Sequence, residues 1–186
     1  MFICNQHYQV TLEEKKSKFI AHIFPYDQLE MILKSLKKEH PKARHFVVAF
    51  RYINELEQIT EGSSDNFEPK GTAGRPALNV LRGHKLINTG VIIVRYFGGI
   101  KLGTGGLVRA YSDAVNLVVK ECKLSEYKKE EKYTFKCKYS NLSKVEHILQ
   151  QLNITNIEKK FETLHVAIEI QTSTNQITKL KRYLEQ

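Results

Sequence analysis

The chain has 186 residues, with 29 Lys and Arg against 20 Asp and Glu (net charge +9), ten Gly, four Pro, three Cys and no Trp. At 41% hydrophobic residues it can build a packed core, which excludes a disordered or collagen-like chain. No apolar run approaches the ~20 residues of a membrane-spanning helix, and Cys4, Cys122 and Cys137 are too few and too scattered for a disulfide framework or a zinc site.

The elements follow from periodicity and breakers. Gln6–Leu12 and Ser17–Phe24 read as strands joined by the charged turn Glu13-Glu14-Lys15-Lys16. Asp27 is placed to N-cap a helix running through Glu39, with Leu29, Ile32, Leu33 and Leu36 on one face and Pro41 as its stop. Phe46–Phe50 is a short apolar run, read as a buried strand. Asn54 to Lys70 is polar and has no convincing period. A short helix is expected with Pro76 at its first position, ending near Gly83. The β-branched run Val91–Val94 reads as a central strand buried on both faces. Leu107, Ala110, Ala114, Leu117 and Val118 then trace a helical stripe. Ser125–Glu131 is a charged junction and marks the expected boundary between domains at 1–125 and 128–186. Beyond it the order is strand, helix, strand, strand, helix, one strand short of the ferredoxin-like βαββαβ pattern.

Charge and glycine coincide in one window. Nine of the ten glycines lie between Gly71 and Gly106, and Pro69–Tyr111 contains no Asp or Glu. Those 43 residues carry Lys70, Arg75, Arg82, Lys85, Arg95, Lys101 and Arg109, seven positive charges of the net nine. Gly98, Gly99, Gly103, Thr104, Gly105 and Gly106 stand between the buried strand and the next helix. Free N–H groups and the dipole make such a helix start an anion site, and glycine lets backbone approach a phosphate. Equally, the glycines can serve only a tight strand-to-helix crossing. The spacing fits neither a Walker loop, since Thr104 rather than Lys follows Gly103, nor a dinucleotide fingerprint, whose third glycine would fall on Val108.

Gly71-Thr72-Ala73-Gly74-Arg75-Pro76 is a second such turn, where Thr72 offers a hydroxyl and Arg75 a bidentate fork. Asp65 and Glu68 just upstream either hold a Mg²⁺ or pair with Lys70 and Arg75. His45 after Arg44 is either a general base or a hydrogen-bonded residue at a strand end. Tyr96, Phe97 and Tyr111 interleave with the basic residues and could stack on bases. No Ser/His/Asp or Cys/His set emerges from spacing.

The stretch Val94-Arg95-Tyr96-Phe97-Gly98-Gly99-Ile100-Lys101-Leu102-Gly103-Thr104-Gly105-Gly106-Leu107-Val108-Arg109-Ala110-Tyr111 resembles the signature of the IMPACT/YigZ family. The resemblance extends to Lys16–Ile20, to Pro41-Lys42-Ala43-Arg44-His45, and to Ser64-Asp65 through Glu68–Pro76. The sequence departs from the family at Asn66-Phe67, where Asp-Gly is common, and at Phe46, where a second histidine often stands. The resemblance implies an α+β protein. Its first domain would have the ribosomal protein S5 domain 2-like fold, followed by a ferredoxin-like domain like that of elongation factor G, here without its last strand. A truncated chain or a smaller sheet would each account for that. Eukaryotic IMPACT proteins regulate translation under amino-acid starvation through an extra N-terminal partner-binding domain. This sequence opens almost directly on the shared domain, so that starvation control is not carried over.

The reading is therefore a non-catalytic, cytoplasmic regulator of translation that binds RNA or the ribosome through the basic glycine-rich face. No enzymatic activity is firmly attached to the family. The alternatives are a protein-interaction regulator acting through its C-terminal sheet, and an enzyme or receptor for a small phosphorylated ligand. No cofactor is expected, save Mg²⁺ accompanying such a ligand, and neither a membrane nor a disulfide-linked partner is expected.

Overall fold

The structure is a computed structural model and describes residues 1–184. The chain divides into two compact units, Met1–Tyr127 and Lys128–Gln186.

The first unit contains β1 (Phe2–Cys4), β2 (Tyr8–Glu14), β3 (Ser17–Pro25), α1 (Leu29–Glu39), β4 (His45–Ile53), β5 (Ile59–Ser64), α2 (Gly74–Gly83), β6 (Thr89–Tyr96), α3 (Gly103–Glu121) and β7 (Leu124–Glu126). Its main sheet is antiparallel in the order β2-β3-β6-β4-β5. Successive strand residues point to opposite faces, and both faces here are apolar. Ile20, Phe24, Phe46, Ile92 and Val94 pack under Ile32 and Leu36 of α1. Phe19, Ala21, Ile23, Val47, Ala49, Val91 and Ile93 pack against α2 and α3 through Ala77, Leu81, Leu107, Ala114 and Val118. The result is three layers with β6 at the centre. Val91–Val94 is fully buried, as the β-branched run implies.

Two sequence expectations need correcting, and one unassigned stretch gains a strand. Asp27 does not cap α1, because it lies inside the 3₁₀ turn Tyr26–Gln28, and Gln28 stands at the N-cap without a side-chain bond. The Asn54–Lys70 stretch, polar and without a period in the sequence, contains β5, which runs along the edge of the sheet beside β4. An edge strand buries little, so its sequence Ile-Thr-Glu-Gly-Ser-Ser carries no apolar alternation. Helix α2 starts at Gly74, which makes Pro76 its third residue rather than its first. Its missing N–H still costs nothing there, because the first four helix N–H groups have no partner within the helix.

The polar junction also hides β7, which pairs antiparallel with β1 in a two-stranded ribbon from Phe2↔Glu126 to Cys4↔Leu124. This brings the Sγ atoms of Cys4 and Cys122 to 2.9 Å, both thiols buried. Burial pushes the Cys122 thiol's pKa up, so it stays protonated.

The second unit contains β8 (Glu130–Cys137), α4 (Leu142–Gln151), β9 (Ile157–Phe161), β10 (Val166–Ser173) and α5 (Thr174–Leu184). The sheet order is β8-β10-β9, all antiparallel. Val166, Ile168 and Ile170 of β10 share a core with Val145, Ile148 and Leu149 of α4 and Ile177 and Leu180 of α5. The α+β class stands, with an S5 domain 2-like unit followed by a ferredoxin-like βαββα unit. No helix among the described residues is long and apolar enough to cross a membrane.

Candidate anion-binding face

The acid-free window ends one residue short of its own counter-charge. Glu68 folds back beneath the end of β6, where Arg95 Nη1 donates to Glu68 Oε1 at 2.5 Å and Tyr111 donates its hydroxyl to the same oxygen at 2.8 Å. His45 stands opposite Arg95 in the β4–β6 register, hydrogen-bonds the Asn66 carbonyl through Nδ1 at 3.0 Å, and lies 3.9 Å from Glu68. The Arg95 guanidinium sits over the rings of Phe19 and Phe97, at 5.3 and 5.7 Å from their centroids. Arg95 is 5% exposed and Tyr111 0%. Neither faces solvent, so the expectation that they meet a polyanion at the surface does not hold. Burial, then the neighbouring Glu68 charge, pushes the Tyr111 hydroxyl's pKa up and keeps it a donor.

The second turn is likewise filled from within. Asp65 accepts backbone N–H bonds from Gly71 at 2.7 Å, Ala73 at 3.1 Å and Gly74 at 2.8 Å. Burial alone would raise its pKa, but the three backbone donors outweigh it and hold the carboxylate below its ordinary range. The anion site at the start of α2 thus already holds a carboxylate of the chain itself. The Thr72 hydroxyl is also spent, on the Pro69 carbonyl at 2.6 Å. Asp65 and Glu68 therefore do not converge on one cation, and they pair with backbone, Arg95 and Tyr111 rather than with Lys70 and Arg75. Among the described residues no cluster of three or more His, Cys, Asp or Glu is placed to hold a metal ion.

Helices α2 and α3 run side by side in parallel. Pro76 and Val108 line one end of the cleft between them, and His84 bonds Asn116 at the other, at 3.0 Å. Both helix starts, and so both glycine turns, lie at one end of the pair. At the α3 start no side chain takes the place of Asp65: Leu102 at the N-cap makes no side-chain bond and the first turn contains no acid, while Glu14 and Asp113 line the neighbouring cleft with Leu102, Gly106 and Arg109. The glycines there divide by role. A Cβ on Gly98 would sit 1.9 Å from the Lys16 carbonyl carbon, so this glycine serves a backbone-to-backbone contact with the β2–β3 turn. That turn holds Lys15 and Lys16 at φ 46° and 65°, and the Gly98 N–H donates to Ser17 Oγ at 3.1 Å. Gly99 and Gly103 have φ of 85° and 73°, and like Gly105 they have open space around the missing Cβ. Lys101, Thr104 and Arg109 are exposed beside them, with Lys70 and Arg75 exposed at the neighbouring turn. Among the described residues none of Lys70, Arg75, Lys101 and Arg109 forms an ion pair. Gly98→Ala is expected to cost about 2–3 kcal/mol of stability through this backbone clash. Gly105→Ala should be neutral or gain up to about 1 kcal/mol from helix propensity. Hydrogen exchange of the Val91–Val94 amides in the two variants checks the contrast, and equal effects would refute the division.

Of the remaining expected residues, Arg44 is exposed before β4, and the Tyr96 hydroxyl bonds His40 Nδ1 at 2.9 Å. Sequence reasoning overlooked Asn66, whose Oδ1 accepts the Phe46 N–H at 2.7 Å. The overlooked signal was the tight turn itself. Asn66 and Phe67 both adopt positive φ, 43° and 69°, where the family's Asp-Gly would sit with less strain.

These features define an α+β protein of two units, with two parallel helix starts at one end of its first sheet, one filled by a carboxylate and one open. The chain belongs to the IMPACT family. The Impact N-terminal domain matches residues 15–119. The chain is 37% identical over 165 residues to the IMPACT family member YigZ of Escherichia coli (strain K12), covering 86% of this chain and 81% of that protein. It is 36% identical over 167 residues to an IMPACT family member of Haemophilus influenzae, covering 87% and 81%. The crystal structure of a hypothetical protein superposes with a TM-score of 0.70 at 31% identity, over 98% of this chain and 90% of that one.

Proposed function

We propose that this protein binds RNA as a ribosome-associated regulator of translation, using the end of its first unit where α2 and α3 begin. The observation that carries the reading is the uncapped start of α3, with open glycine backbone and with Lys101, Arg109, Arg75 and Lys70 exposed around it. Backbone N–H groups and the helix dipole favour a phosphate there, and the cations add sequence-independent attraction. The link to translation rests on the family resemblance. Fluorescence anisotropy with a single-stranded RNA tests the reading. With about four phosphates contacted, affinity should fall roughly 50-fold between 50 and 200 mM salt. Arg75→Glu combined with Arg109→Glu should weaken binding at every salt concentration. Binding indifferent to both salt and these substitutions would sink the proposal.

A further inference from the structure

We infer that a pocket at the C-terminal end of β6 holds one nucleotide of the bound strand, its phosphate against Arg44 and Lys42 and its base on the ring of Phe97. The inference rests on the RNA-binding reading and adds to it a discrete subsite. Lys42, Arg44, His45, Arg95, Tyr96 and Phe97 line a cavity of about 310 Å³.

 

That size lies at the small end of ligand pockets, roughly 300–1,000 Å³, and suits one nucleotide rather than a larger cofactor. Three of the lining side chains are Lys or Arg, and a fourth is histidine. The nearby carboxylate, Glu68, is already committed to Arg95 and Tyr111.

The protein leaves donors unused here. A guanidinium carries five N–H donors, and Arg95 engages Glu68 through Nη1 alone, while its buried Nε has no partner. His45 spends Nδ1 on the Asn66 carbonyl, and its Nε2 bonds no other residue among those described. Lys42 and Arg44 are exposed, and neither forms an ion pair among the described residues. Phe97 is 56% exposed, with the Arg95 guanidinium packed on its ring. Cations beside an exposed ring match a phosphate joined to a base, and base–aromatic stacking tolerates any sequence. The pocket is continuous along the chain with the α3 start, because Phe97 leads directly into Gly98 and Gly99.

The test pairs two probes with two exposed-residue variants, Phe97→Ala and Arg44→Ala, whose folding is verified by thermal melts. Titrating 5′-AMP while recording amide NMR spectra should shift residues 42–45 and 95–97, and Phe97→Ala should remove the preference for AMP over inorganic phosphate. Phe97→Ala should also weaken single-stranded RNA at least fivefold, and Arg44→Ala should lower the salt slope by about one phosphate contact. If both variants bind RNA normally while Arg75→Glu with Arg109→Glu weakens it, the pocket is overturned and the face survives. If neither pair of substitutions changes RNA binding, both readings fall.

Discussion

Glu68→Ala is expected to lower the stability of the first unit by about 3–5 kcal/mol, the largest effect of any single substitution considered. The carboxylate is 8% exposed and holds two buried groups, the Arg95 guanidinium at 2.5 Å and the Tyr111 hydroxyl at 2.8 Å. Removing it strands a cation that is 5% exposed between Phe19 and Phe97, with no other carboxylate bonded to it. Breaking one partner of a buried pair costs more than the pair contributes, because the survivor keeps its desolvation penalty. Tyr111→Phe, which removes one neutral donor and leaves the ion pair, should cost only about 1 kcal/mol. Hydrogen exchange of the Val91–Val94 amides measures this directly, because the central strand opens only with the whole unit. The two-unit chain makes a single bulk transition unsuitable. A loss below about 1 kcal/mol for Glu68→Ala would mean that the cluster does not anchor the unit.

That cluster also marks where sequence reading stopped. The central strand, α3 and the βαββα order of the second unit were legible because long apolar runs and 3.6-residue stripes report burial directly. The three-residue strands β1 and β7 and the polar edge strand β5 were not, since pairing there comes from distant backbone rather than from local pattern. The site divides in the same way. The basic window named Lys70, Arg75, Lys101 and Arg109 as anion-binding residues, and all four are exposed. It could not separate them from Arg95, because a charge count along the chain does not show that Glu68, adjacent to the window, returns to neutralise an arginine 27 positions away. Glycine spacing had the same limit. Gly98 and Gly105 look alike in sequence, yet one meets the backbone of Lys16 and the other meets nothing within 4 Å.

Stability should fall by about 3 kcal/mol as the pH drops from 6.5 to 4 through one buried histidine. His22 is the cause. It lies on β3 between Ile20 and Phe24, on the face packed beneath α1, and is 1% exposed. Its Nδ1 shares a 3.0 Å hydrogen bond with His7 Nε2, while Nε2 is buried without a partner. Protonation would place a charge and a second N–H in that apolar layer. Burial first, then the neighbouring His7 and His40, lowers its pKa from 6.5 to about 4, against a smaller opposing pull from Glu39. The unfolded chain therefore takes up this proton below pH 6.5 while the folded chain refuses it until about pH 4. At about 1.4 kcal/mol per pH unit, the interval gives the expected loss. Asp65 and Glu61 act in a separate window, because their folded pKa values lie below the ordinary carboxylate values and their contribution is lost only at lower pH. His22→Phe keeps a ring in the layer and removes the titration. Exchange of the Val91–Val94 amides, corrected for intrinsic rates, should then show a steep slope between pH 6.5 and 4.5 in the parent and a much shallower one in the variant, where His7, its pKa also lowered by burial, still contributes. Equal slopes in the two proteins would assign the acid sensitivity to groups other than His22.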